Sequence, residues 1–184
     1  SLLEDIDEVI ISPGIAQSET IVQWIREKKI ALISDIELFG RYSNAPIIGI
    51  TGSNGKSTVT QLLGEMALAS RLNAVICGNI GSPVMESISD TADLYIVELS
   101  SYQLDYTSEL DLFAGVITNI SPDHLDRYDN YEDYIASKLS IYSYSQYAIA
   151  NLDDSILSKS NADSYFAIEN YSSDCDFYAK KKDK

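Results

Sequence analysis

Residues 46–69 constrain the fold of this chain more than any other stretch. An apolar run, Pro46-Ile47-Ile48-Gly49-Ile50, leads into Thr51-Gly52-Ser53-Asn54-Gly55-Lys56-Ser57-Thr58, and an apolar helical pattern follows through Leu62, Leu63, Met66, Ala67 and Ala69. That order predicts a strand, a tight loop and a helix. Glycines let backbone N–H groups turn inward on an anion with no Cβ in the way. The helix behind them adds unpaired N–H groups and the positive end of its dipole. A polyphosphate fits such a cradle, with Lys56 reaching its outer phosphates and the Ser57 hydroxyl holding magnesium. The general pattern G-x-x-x-x-G-K-[ST] is met at Gly55-Lys56-Ser57. Its first glycine falls on Ile50, between Gly49 and Gly52.

The rest of the chain alternates two periodicities. Short apolar runs at 8–12, 30–33, 74–77, 94–97, 114–118, 147–150 and 165–168 read as strands. Helices are expected over 19–28 with Ser18 as cap, from Ile36 onward, near 83–89 and over 131–143. Ser43-Asn44-Ala45-Pro46 reads as a linker, because proline disfavours helix in the residue before it. The run 94–97 is apolar throughout, which suits a strand buried on both faces. Such alternation predicts an α/β fold, a mostly parallel sheet flanked by helices. Ligands of such sheets sit at the carboxyl ends of the strands.

A chain of 184 residues holds one domain, or one domain plus a fragment of another. Asp and Glu outnumber Lys and Arg by 28 to 13, a formal charge of −15. That field repels a nucleic-acid backbone, and it repels nucleotides at long range, so an ATP site here must rely on local groups and magnesium. The basic run at 180–184 reads as a solvated tail. No apolar run reaches the length of a membrane span, and the acidic start lacks the basic opening of a secretory signal. Cys77 and Cys175 lie far apart without metal-type spacing, the pattern of reduced thiols in a cytoplasmic protein. Neither nucleic acid nor a membrane is expected as a partner.

Several polar residues fall at the expected strand ends. Glu98 closes the run 94–97, where a carboxylate beside a phosphate loop can hold magnesium directly or through water. His124 follows the strand 114–118 in Ser121-Pro122-Asp123-His124-Leu125-Asp126-Arg127. It is either a surface loop residue or a metal or phosphate ligand, although magnesium prefers oxygen. Lys138 has Tyr134, Ile135, Ile141 and Tyr142 as its helical neighbours. Desolvation there would lower its pKa and leave a neutral amine able to capture carbon dioxide as a carbamate. On the residues alone a snorkelling lysine is the simpler reading. Asn79, between Gly78 and Ile80-Gly81, is a turn residue or a ligand contact. Ser100 is a helix cap or part of a polar wall, and Ser12-Pro13-Gly14 is a similar loop at a sheet edge.

These strings together resemble the Mur ligase family of ATP-dependent amide ligases. The phosphate loop GITGSNGKST marks the whole superfamily, including folylpolyglutamate synthetases. SPGI at 12–15, SDIELF at 34–39, GNIG at 78–81, ELSSYQL at 98–104 and DHLDRY at 123–128 match the family as well, and DIELF, ELSSYQL and DHLDRY are similar to its D-glutamate-adding members more narrowly. The resemblance implies that Gly52, Ser53, Asn54, Gly55, Lys56, Ser57 and Thr58 bind ATP. It implies two Mg2+ sites, the first held by Ser57 and Glu98, the second by His124 and a carbamylated Lys138. Lys56, His124 and Lys138 are the catalytic residues it implies. Asn79 and Ser100 would contact a muramoyl substrate, and Ser12, Pro13, Gly14 and Asp35 its uridine side.

The implied reaction adds D-glutamate to UDP-N-acetylmuramoyl-L-alanine through an acyl phosphate, in peptidoglycan precursor synthesis, by a cytoplasmic monomer. The alternatives are another amide ligase of the superfamily, or a nucleotide-binding fragment without turnover of its own. By the same resemblance residues 1–45 are the C-terminal part of a Rossmann-like domain for the uridine nucleotide. Residues 46–184 are then an incomplete ATP-binding central domain, and a C-terminal domain is absent. A P-loop kinase or GTPase is disfavoured, since the chain lacks an NKxD-type string.

Overall fold

The computed structural model describes residues 6–123, 126–168 and 175–178. A two-stranded sheet pairs β1 (Glu8–Ile11) with β2 (Ala31–Ser34), joined through α1 (Thr20–Glu27) and followed by α2 (Asp35–Tyr42). The main sheet contains β3 (Ile47–Thr51), β4 (Ala74–Gly78), β5 (Leu94–Glu98), β6 (Leu112–Ile117), β7 (Ser145–Asn151), β8 (Ser164–Ala167) and β9 (Phe177–Tyr178). Its order is β4-β5-β3-β6-β7-β8-β9, and every pair is parallel. Between strands lie α3 (Lys56–Ala69), α4 (Ser101–Leu104) and α5 (Tyr131–Leu139), with 3-10 turns at Val84–Ser87, Ser140–Tyr144 and Leu157–Lys159. The expected α/β class is the one observed. Among the described residues no helix is long and apolar enough to cross a membrane.

The two faces of the sheet bury different residues of the same strands. Leu94 and Ile96 of β5 pack with Ile50, Val59, Leu63 and Ala67 under α3, while Tyr95 and Val97 pack with Phe39, Leu112, Tyr134 and Ile141 on the other side. Alternation along a strand covered by helices on both faces explains its unbroken apolar run. Gly49 faces the second layer, where an added Cβ would lie 2.8 Å from Leu112 and 3.0 Å from Leu99. This glycine therefore serves the packing of the sheet and not the phosphate loop.

Four local expectations are corrected. The inward stripe of α3 is Thr60, Leu63, Gly64 and Ala67, whereas Leu62 and Met66 are more than half exposed. Small residues decide this: an added Cβ at Gly64 would meet Ile76 at 2.3 Å, so the helix can approach the sheet only on that side. The helix expected near 83–89 is one 3-10 turn, in which the Ser87 hydroxyl donates to the Pro83 carbonyl and competes with a longer helix. α1 starts after Glu19, which makes no side-chain cap bond, and not at Ser18. The segment 131–143 divides into α5, capped by Asn130, and the 3-10 turn after it.

α2 belongs to the main core although it follows the small sheet. Ile36 and Phe39 are buried in the cluster that contains Tyr95 and Leu110, and the Phe39 ring stands edge-on to Tyr95 at 5.0 Å. The buried carboxylate of Glu37 accepts bonds from the backbone N–H of Ser108 and Glu109 and from Arg41. Phe39→Ala is expected to lower unfolding stability by about 3–5 kcal/mol, the cost of an emptied aromatic site. Urea denaturation followed by far-UV circular dichroism should show a single transition shifted as a whole. An unshifted transition from the main sheet would show that α2 is not part of that core.

Candidate functional site

β5, β3 and β6 are neighbours, so residues that follow them meet at one edge. Ile50 is in register with Glu98, and Thr51 with Ile117. The loop after β3 leaves this edge through Gly52, whose φ of 146° is open to glycine and whose added Cβ would lie 2.0 Å from Thr118 Oγ1. Two residues after β6 then fasten the loop. Thr118 Oγ1 and Asn119 Nδ2 both donate to the Asn54 carbonyl, at 2.8 and 2.7 Å, while Asn119 Oδ1 accepts from Asn54 N–H at 3.0 Å. Ser53 N–H donates to the Asn119 carbonyl at 2.9 Å, and Ser53 Oγ lies 2.8 Å from the Tyr134 hydroxyl.

The N–H groups of Ser53 and Asn54 are thus committed inside the protein. Gly55 is the N-cap of α3, and the N–H groups of the first helical turn that follows have no intrahelical partner. Those of Lys56, Ser57 and Thr58 are the ones this arrangement leaves available to an anion. Ser57 and Thr58 are exposed on that turn.

Two lysines converge on the loop. Lys56 Nζ donates to the carbonyls of Gly52 at 2.8 Å and Ser53 at 3.1 Å. Lys138 Nζ donates to the same Gly52 carbonyl at 3.0 Å, lies 3.5 Å from Thr51 Oγ1 and sits 4.9 Å from the centre of the Tyr134 ring. Lys138 is only 2% exposed, so it does not snorkel. Burial pulls its pKa down to about 7, the nearby Lys56 charge adds to the fall, and Asp123 and Asp105 oppose it. His124, the residue after Asp123, lies outside the described residues.

Glu98 is 2% exposed at the end of β5. Its Oε1 accepts from Asn79 Nδ2 at 3.0 Å, and its Oε2 is buried without a protein hydrogen-bond partner. A buried carboxylate oxygen left in this state calls for a cation or water. Among the described residues no group of three or more His, Cys, Asp or Glu forms a metal cage. Magnesium commonly binds through one or two carboxylates together with phosphate oxygens and water, so Glu98 and Ser57 fit that ion beside a nucleotide.

The remaining expected residues divide between two places. Ser100 caps α4: its Oγ accepts from Gln103 N–H and its own N–H donates to Gln103 Oε1, a reciprocal capping box. Ser12 and Asp35 follow β1 and β2, whose ends are in register at Ile11 and Ser34, so both lie at the carboxyl edge of the small sheet. Burial raises the Asp35 carboxyl, backbone N–H groups and Gln103 oppose the rise, and its Oδ1 is buried without a hydrogen bond. The loop 12–15 is pinned to the main sheet unit. Arg127 donates to the carbonyls of Gly14 at 2.8 Å and Pro13 at 3.1 Å while stacking over Tyr102 at 4.2 Å, and the Tyr106 hydroxyl donates to the Ile15 carbonyl at 2.9 Å.

The loop-holding roles of Thr118, Asn119, Tyr134 and Arg127 escaped the sequence reading, because a residue that holds a loop in place carries no spacing signal of its own. A cleft of about 460 Å³ opens between Arg26, Asp105 and the segment 126–129, and none of the residues expected in the site lines it.

A family model described as the Mur ligase middle domain matches residues 50–181. A UDP-N-acetylmuramoylalanine--D-glutamate ligase of Vibrio parahaemolyticus is 47% identical over 152 residues, which is 83% of this chain and 35% of that protein. The enzyme of the same name from Vibrio cholerae is 46% identical over 148 residues, 80% of this chain and 34% of its own length. The chain thus spans about a third of the length of these relatives. Among solved structures, a pseudomurein peptide ligase type C from Methanothermus fervidus superposes with a TM-score of 0.57 at 27% identity, over 92% of this chain and 37% of that one. UDP-N-acetylmuramate-alanine ligase MurC from Thermotoga maritima shares the fold, with a TM-score of 0.58 at 17% identity over 90% of this chain and 40% of its own. With its glycine loop, its buried lysine and most of its main sheet inside the matched span, the chain belongs to the Mur ligase family.

Proposed function

We propose that this chain is the nucleotide-binding centre of an ATP-dependent ligase that joins D-glutamate to UDP-N-acetylmuramoyl-L-alanine. One observation carries the reading: Lys56 and Lys138 meet at the Gly52 carbonyl, where a glycine loop opens α3 at the end of β3. The relatives named above supply the substrates. In the proposed reaction the alanine carboxylate of UDP-N-acetylmuramoyl-L-alanine attacks the γ-phosphoryl group of ATP and ADP leaves. The D-glutamate amine then attacks the acyl phosphate, the C–N bond forms as the C–O bond to phosphate breaks, and the amine loses a proton.

The chain's own residues bind, orient and neutralise. The first-turn N–H groups of α3, at Lys56, Ser57 and Thr58, receive phosphate oxygens, on the loop built from Gly52, Ser53, Asn54 and Gly55. Lys56 exchanges its loop carbonyls for the outer phosphates and offsets the repulsion between two anions. Glu98 and Ser57 would hold one Mg2+, and His124 with Lys138 a second. Bound there, the two ions supply positive charge that stabilises the transferring phosphoryl group. Lys138 fits the second role as a carbamate: above about pH 7 its buried amine is neutral and can add carbon dioxide with loss of a proton.

Ser12, Pro13, Gly14 and Asp35 form the uridine side, and Asn79 and Ser100 face the muramoyl group. Because Arg127 and Tyr106 occupy the carbonyls of 13–15 and Ile15 N–H donates to the Ser12 carbonyl, this loop would offer Ser12 Oγ and the Gly14 N–H to the ligand. Residues 1–45 then close a uridine-binding unit, and 46–184 belong to the ATP-binding unit.

Calorimetric titration of the chain with magnesium-ATP should show binding, weakened about tenfold to a hundredfold in Lys56→Ala, in line with the ~1.5–3 kcal/mol of a charged hydrogen bond. Equal affinity in the two proteins would refute the phosphate-loop assignment.

Lys138 gives a pH test with a definite sign. An unfolded lysine keeps its proton to about pH 10.4, while the folded one releases it near 7. Folding therefore expels a proton between those values, and this group makes stability rise with pH across that window. Urea unfolding at a series of pH values should show that slope reduced in Lys138→Met. An identical slope in the variant would mean that the lysine titrates normally.

In the intact ligase, Lys138→Ala should lose activity and regain part of it with short-chain carboxylic acids that replace the carbamate. A folded variant that no carboxylic acid restores would count against the carbamate.

A further inference from the structure

Glu98 is held by one residue at two points. Asn79 Nδ2 donates to its Oε1 at 3.0 Å, and Asn79 N–H donates to its backbone carbonyl at 2.9 Å. The turn that delivers Asn79 is locked to the same strand end. Gly78 is in register with Glu98, and an added Cβ at Gly78 would lie 2.3 Å from the Glu98 carbonyl oxygen, at a φ of 104° that favours glycine.

We propose that Asn79 is a positioning residue, which fixes the Glu98 carboxylate so that Oε2, and not Oε1, meets the divalent cation. The proposal rests on the reading above that Glu98 faces such a cation. A carboxylate has two equivalent oxygens and a soft terminal torsion, so it rotates unless something distinguishes them. The amide makes that distinction. Its N–H half must face the carboxylate, because the carbonyl half would set oxygen against oxygen. Oε1 is then occupied, while Oε2 is buried without a protein partner. An amide suits the task better than a lysine or arginine would. It orients the carboxylate but leaves its full negative charge for the metal, as partners behind metal ligands commonly do. Asn79 itself is exposed, so its truncation removes this bond without emptying the core.

The test uses Mn2+ as the probe. Its binding to the chain in the presence of ATP is followed by electron paramagnetic resonance in wild type, Asn79→Ala, Glu98→Gln and the double variant. Asn79→Ala should weaken Mn2+ binding by about tenfold or more, the usual effect of losing such a partner. Its metal-free ATP affinity and its urea midpoint should stay at the wild-type values. In the Glu98→Gln background the same change should add nothing, since there is no carboxylate left to orient.

Wild-type Mn2+ affinity in Asn79→Ala would overturn the positioning role. A parallel loss of metal-free ATP binding or of stability would overturn it too, by making Asn79 merely structural. If Glu98→Gln binds Mn2+ as wild type does, or if wild type binds none, the cation reading of Glu98 fails first and takes the proposal with it.

Discussion

The parallel register of β5, β3 and β6 is the constraint on which the site depends. Three strands that run the same way end at the same edge, so Glu98, Gly52 and Thr118 become neighbours although the second and third lie 66 positions apart, at 52 and 118. The register itself is specified by burial on both faces. A slip of one residue in β5 would exchange Ile96 with Tyr95 and Val97 between two differently shaped layers, one under α3 and one under α2 and α5. The core that fixes the sheet therefore also fixes the site.

At this edge local charge opposes the charge of the whole. The chain carries −15 overall, yet two lysine side chains reach one loop carbonyl. That carbonyl does not neutralise the Lys56 ammonium, which leaves positive potential where an anion would arrive. The cost falls on Lys138, whose proton is held weakly because the site is dry and Lys56 is close. Glu98 is the mirror case, a buried carboxylate with one oxygen satisfied and the other not. Such unfinished pairings are unfavourable in a structural core, and these two lie at the sheet edge where ligands of this fold class bind.

The N-terminal segment is tied to the main sheet unit by polar bonds as well as by α2. Glu37 collects backbone donors from 108 and 109, Arg127 holds the carbonyls of 13 and 14, and Tyr106 holds that of 15. Arg127 belongs to the segment that follows β6, so one guanidinium spans from that strand end to the loop after β1. The edges of the two sheets are in this way linked by side chains whose partners are main-chain atoms.

The sequence alone determined the alternation of strands and helices, the glycine loop with its lysine and hydroxyls, and Glu98 at a strand end, because these depend on periodicities and contacts a few residues apart. It also raised the question of Lys138, through four apolar helical neighbours, but could not answer it, since snorkelling and burial differ only in what lies above the helix. The tertiary structure decided that: Tyr134, Gly52 and Thr51 enclose the amine. It likewise decided that Gly49 packs against Leu112 and Leu99, that Gly64 sets which side of α3 meets the sheet, and that Asn119 and Asn79 hold the loop and the carboxylate. Each of these rests on contacts between segments distant in the chain, and such contacts leave no periodic trace in the order of residues.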